Sequence, residues 1–96
     1  MINAPKQYLL TIKRILQKHL SDAQIRAFGS RVVGKSKIYS DLDLVIVAKT
    51  KVNSKVLMKL KEEFEESDVP FRVDIIDWHR ISEEFKRIIN RQYEVL

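Results

Sequence analysis

Apolar residues recur at spacings of three and four near the start of the chain: Leu9, Ile12, Leu16 and Leu20, with Tyr8 and Ile15 beside them. This spacing puts them on one face of an amphipathic helix running from Pro5 to Leu20, with Pro5 suited to the first turn. The period then changes to two. In AQIRAF, Ala23 to Phe28, Ile25 and Ala27 face opposite to Arg26 and Phe28, which predicts a short strand running into Gly29. Leu42 to Ala48 is nearly all apolar and β-branched, the mark of a central strand buried on both faces. Asn53 or Ser54 caps a second helix that turns Val56, Leu57, Leu60 and Phe64 inward. Ser67-Asp68-Val69-Pro70 stops it, because a residue before proline avoids helical geometry. FRVDIID, Phe71 to Asp77, reads as a third strand. Ser82, followed by Glu83 and Glu84 where the helix dipole favours anions, opens a last helix packing Phe85, Ile88, Ile89 and Tyr93. The order helix, strand, strand, helix, strand, helix predicts an α/β (α+β) fold with a small, mixed three-stranded sheet packed with helices.

Ninety-six residues with two prolines, no repeat and no low-complexity tract predict one domain, residues 1–96, without room for a second that would hold a substrate. The first residues lack the apolar core of a signal peptide and no apolar run is long enough to span a bilayer, so a cytoplasmic protein without a membrane partner is expected. The chain has no cysteine, which removes disulfides, thiolate nucleophiles and cysteine metal sites. A metal here would be hard and held by oxygen. The net charge of +5 suggests an anionic partner. Yet the lysines are spread from Lys6 to Lys86, and KLKEEFEES alternates sign as a solvated helix face does. The basic residues form no helix-turn-helix, RNP or zinc pattern, so nucleic acid is not the expected partner.

The chemistry concentrates between Gly29 and Val47, GSRVVGKSKIYSDLDLVIV. GSRVVGKS satisfies the P-loop pattern, which requires a helix beginning at its Lys-Ser. Only Lys37 to Ser40 separate Ser36 from the aspartates and the next strand, too few for such a helix. The same residues suit another arrangement: Gly29 permits a sharp turn, and the Ser30 hydroxyl with nearby N–H groups can hold phosphate oxygens. Asp41 and Asp43 share one strand face while Leu42, Leu44 and Ile46 share the other. Two carboxylates about 4 Å apart repel by roughly 4 kcal/mol at an effective dielectric near 20, so the pair calls for a cation. A third carboxylate can come from Asp74 or Asp77. Asp74 is flanked by Val73 and Ile75 in mid-strand, where an uncompensated charge is costly, whereas Asp77 at the strand end can cap or be solvated; Asp74 is the better third ligand. Three carboxylates over magnesium, two ions in the fullest form, can activate a hydroxyl and neutralise a nucleoside triphosphate. His19 and His79 read as surface or capping residues, and Trp78 as packing the last helix.

Gly29-Ser30, the interval to Ser40, SDLDLVIV and the later strand aspartate resemble the nucleotidyltransferase superfamily of DNA polymerase β and kanamycin nucleotidyltransferase. The length is similar to that of the minimal nucleotidyltransferases (MNT), antitoxin partners of HEPN-domain proteins. The resemblance implies a polymerase β-like fold. It places Gly29, Ser30, Arg31 and Ser40 at the nucleotide, Asp41 and Asp43 as metal ligands, and Asp74 as third carboxylate and general base. It further implies transfer of AMP from ATP to a hydroxyl of a HEPN-domain toxin. The chain departs from the pattern G-S-R-x-[RK]-G at Val33, where Lys35 or Lys37 is the candidate substitute. The alternative is an antitoxin that binds its toxin, or a nucleotide, without turnover.

Overall fold

The computed structural model describes all 96 residues. Helix α1 (Lys6–His19) leads into β1 (Gln24–Phe28), a short α2 (Ser30–Val33), β2 (Leu42–Val47), α3 (Ser54–Glu66) and β3 (Val73–Asp77). A 3-10 turn (Trp78–Arg80), α4 (Glu83–Arg91) and β4 (Glu94–Val95) complete the chain. The sheet has four strands in the order β3-β2-β1-β4 rather than the three expected. β1 runs antiparallel to both β2 and β4, and β2 runs parallel to β3 through the α3 crossover that a parallel pair requires. The additional strand is two residues long, opposite Arg26 and Ala27. So short a segment carries no periodicity.

One sheet face is apolar except for Asp77 at the end of β3. Ile25, Ala27, Leu42, Leu44, Ile46, Val73 and Ile75 meet Ile12 and Leu16 of α1 and Leu60 and Phe64 of α3. The capping signals act as expected: Asn53 Oδ1 accepts from the Lys55 N–H at 2.8 Å, and Ser82 Oγ from the Phe85 N–H at 3.1 Å. Pro5 is the N-cap of α1 rather than its first helical residue. On the opposite sheet face Val45 and Ile89 are buried, and Phe85 of α4 meets Phe28 of β1 edge-on at 5.6 Å. The last helix ends at Arg91, so Tyr93 lies beyond it and stacks on Arg26 at 4.5 Å, while Ile88 faces outward. Ile88 and Ile89 are consecutive and point about 100° apart around the helix, so with Ile89 buried Ile88 turns to solvent. α4 covers only part of this face. The end carrying Asp43 and Asp74 stays open to solvent, and no helix is long and apolar enough to cross a membrane.

Candidate active site

β1 ends at Phe28, whose register partner is Asp43, and the chain must then reverse beside that carboxylate. Gly29 makes the reversal at φ 79° and ψ −158°, a half of conformational space that side chains disfavour. A Cβ there would overlap Oδ2 of Asp43, so the turn is glycine both for its torsion and for its close approach. Ser30 opens α2 directly, with the N–H groups of Val32 and Val33 both donating to the Gly29 carbonyl at 3.0 Å. The N–H groups of Ser30 and Arg31 belong to the first turn and have no partner within the helix. They and the Ser30 hydroxyl are the donors that this turn can offer an anion. α2 begins five residues before Lys35 and ends at Val33, so Lys35 and Ser36 lie in a loop and do not form a P-loop.

Asp41 is exposed just before β2, and Asp43 is half-buried as its second residue. The parallel register sets Asp43 directly opposite Asp74. Burial, then repulsion from Asp74 and Asp41, pushes the Asp43 carboxyl up to about 6, with Arg72 acting the other way. The Arg72 guanidinium stands 4.0 Å from Asp74 Oδ1. Arg72 escaped the sequence reading; its signal is the two-residue spacing to Asp74, which places both on one strand face. No three acidic or imidazole side chains close around a common point. The donor set nevertheless fits magnesium: it is oxygen only, it is crowded enough to raise a carboxyl pKa, and this ion takes one or two carboxylates while keeping waters and phosphate oxygens.

The other expected site residues fall into two groups. Ser40 closes the loop before the aspartates: its Oγ accepts from the Lys37 N–H at 2.8 Å, which leaves its own hydroxyl proton free to donate. Arg31, expected at the triphosphate, is instead 4% exposed and donates to three backbone carbonyls. Asp77 is a cap and is not solvated. Its fully buried carboxylate accepts from the N–H groups of Val52 (2.8 Å) and His79 (3.0 Å) and from Arg80 Nε (3.2 Å). That role separates it from Asp74, whose side chain is 44% exposed on the open face. His79 lies 2.6 Å from the Ala48 carbonyl, at the far end of β2 from Asp43, and His19 lies 3.1 Å from Glu63. Trp78 packs against Arg26 and Lys86.

Residues 11–96 match the family described as Polymerase beta, Nucleotidyltransferase. A curated relative from Haemophilus influenzae, named "Probable protein adenylyltransferase MntA", is 44% identical over 95 residues, covering 99% of this chain and 83% of the relative. A toxin-antitoxin structure with AMP-PNP superposes with a TM-score of 0.76 at 20% identity, over 90% of this chain and 69% of that one. A structure of a tri-AMPylated Shewanella oneidensis HEPN toxin with its MNT antitoxin superposes at 0.69 with 21% identity, over 93% and 70%. At these identities the superpositions show a common fold.

Proposed function

Because this chain belongs to the polymerase beta nucleotidyltransferase family, we propose that it is an adenylyltransferase of the cytoplasm that moves AMP from ATP to a hydroxyl of a HEPN-domain toxin and thereby acts as its antitoxin. The observation that carries this is the pairing of Asp43 with Asp74 across adjacent parallel strands, against the glycine turn and beside Asp41. The 44% identity to the relative named as a protein adenylyltransferase supports the choice of protein as acceptor. The superpositions on an AMP-PNP complex and on an AMPylated HEPN toxin support the nucleotide and the partner.

In this function the Ser30 hydroxyl and the N–H groups of the turn orient the triphosphate, with the Ser40 hydroxyl a further donor. Asp41 and Asp43 would hold magnesium, with Asp74 completing the set, and the ion would supply neutralisation of charge on the phosphates and leaving pyrophosphate. Asp74 accepts the proton of the incoming hydroxyl, whose oxygen bonds to the α-phosphorus as the bond to pyrophosphate breaks. The open sheet face leaves space for an acceptor presented by another chain.

The test is the intact mass of a HEPN-domain partner encoded beside this gene after incubation with the protein, magnesium and each nucleoside triphosphate. Gain of one or more AMP groups, absent with Asp41→Asn, is the expected result. A stable complex with no gain identifies an antitoxin acting by binding, the reading that Val33 favours, since it stands where the family pattern has a base.

A further inference from the structure

Arg31 sits second in α2, yet its side chain runs into the fold and away from the turn that faces the nucleotide. Nε donates to the Ser40 carbonyl at 2.9 Å, Nη1 to the Asn3 carbonyl at 2.7 Å and Nη2 to the Ile38 carbonyl at 2.8 Å. The guanidinium carbon lies 4.1 Å from the centre of the Phe71 ring, so one face of the group is covered as well. The Asn3 N–H returns a bond to the Arg31 carbonyl at 2.7 Å. These contacts join four stretches of chain: the segment before α1, the head of α2, both ends of the Ile38–Ser40 turn, and the approach to β3. Ser40 is the residue immediately before Asp41.

We propose that Arg31 is a positioning residue for Asp41, clamping the 34–40 loop from inside the fold without touching the nucleotide. A planar fork is required, because three carbonyls accept from three different nitrogens and a ring covers the plane. The loop has little else to hold it. Ile38 and Tyr39 at its tip are 78% and 80% exposed, and Gly34 at its start has open space around it. Without the clamp the loop keeps the Gly34 and Lys35 N–H bonds to the Ser30 carbonyl at its start, the local bonds between Lys37 and Ser40 and the contact of Asn3 Nδ2 with Ser36 Oγ at 2.7 Å, none of which reaches Ile38 or ties Ser40 to another element. Asp41 would then enter β2 from a mobile segment.

The clamp stands on the hydrogen bonds alone, while its effect on transfer rests on the function proposed above; two measurements keep them apart. The first is amide hydrogen exchange of the free protein with Arg31→Lys and Arg31→Gln. Both are expected to speed exchange at Lys37, Ser40 and Leu42 by about tenfold or more, since neither replacement can bridge the three carbonyls. The second is transfer to the HEPN partner as magnesium is varied. Both variants are expected to raise the half-maximal magnesium concentration by a comparable factor, with no rescue by the charge-retaining lysine. Unchanged exchange in both variants, or rescue by lysine with the loss in glutamine confined to the nucleotide KM, overturns the proposal in favour of direct contact with phosphate. Should the Arg31 variants not fold, Phe71→Leu decides: it keeps the charge and the fork but removes the ring that shields the guanidinium, so that water competes for the three carbonyls and exchange at the same amides is expected to speed. Unchanged exchange in Phe71→Leu would then overturn the clamp. If the unaltered protein transfers nothing, the function fails and the exchange result stands by itself.

Discussion

Gly29 and Asp43 are coupled by a steric fact, and their behaviour at the scale of single residues follows from it. Gly29→Ala introduces a Cβ at φ 79° directly against the Asp43 carboxylate, so it is expected to cost about 2–4 kcal/mol and to abolish transfer. Gly34→Ala faces only the milder left-handed helical torsion, φ 82° and ψ 20°, and meets no atom, so it should cost only about 1 kcal/mol with transfer largely kept; thermal unfolding and partner mass separate the two. Asp43 itself makes stability depend on pH. Its folded pKa of about 6 exceeds the ordinary 3.8, so the stability due to its protonated form is fully present below 3.8 and lost as pH rises through 6. In metal-free protein, Asp43→Asn minus wild type is therefore expected to grow with pH across that window to on the order of 2 kcal/mol, after allowance for solvent screening. Magnesium binds the ionised form, so its affinity should climb over the same interval and level off above it. A pH series of denaturant melts, with and without magnesium, checks both. The sequence already marked Gly29, Asp41, Asp43 and Asp74, because charge in an apolar strand is conspicuous. It did not mark Arg31 as a buried residue, because a loop arginine looks the same whether it faces phosphate or carbonyls.

Among the elements, β3 places its two aspartates in different settings, one exposed beside Asp43 and one buried as a structural cap. Asp74 lies on the open face opposite Asp43, while Asp77 at the strand end ties the loop before α3 to the 3-10 turn. Asp77→Ala strands the Val52 and His79 N–H groups and Arg80, and is expected to destabilise by about 3–4 kcal/mol. Asp74→Asn relieves repulsion and should leave stability within about 0.5 kcal/mol of wild type, or slightly above it, while ending transfer. Chemical denaturation of both variants beside a transfer assay tests the division. The three longer helices and the three longer strands were legible from period and caps because each buries a stripe that sequence spacing records. α2 and β4 were not. A four-residue helix and a two-residue strand are too short to show a period, and both are held by neighbours: α2 by the Gly29 turn, β4 by its pairing with Arg26 and Ala27.

For the molecule as a whole, the open end of the sheet crowds Asp41, Asp43 and Asp74 together, and a cationic ligand that relieves their repulsion should act on global stability. Magnesium with ATP at about a hundred times the dissociation constant adds about 2.7 kcal/mol by linkage. For a domain of this size that corresponds to a rise of roughly 10 °C or more in Tm. The rise should vanish with chelator or in Asp41→Asn, as scanning calorimetry would show. The sequence by itself determined the helix and strand types, the polarity of each face and the residues bearing charge into the apolar β2, because these depend on periodicities and solvation costs local to a few residues. It also carried the spacing by which the family is recognised. Only the tertiary structure decided that Asp43 faces Asp74, that Gly29 touches Asp43, that Asp77 is sealed beneath Val52 and that Arg31 turns inward. Strand order and register are set by the packing of whole elements around one core, and that packing brings together residues far apart in the chain.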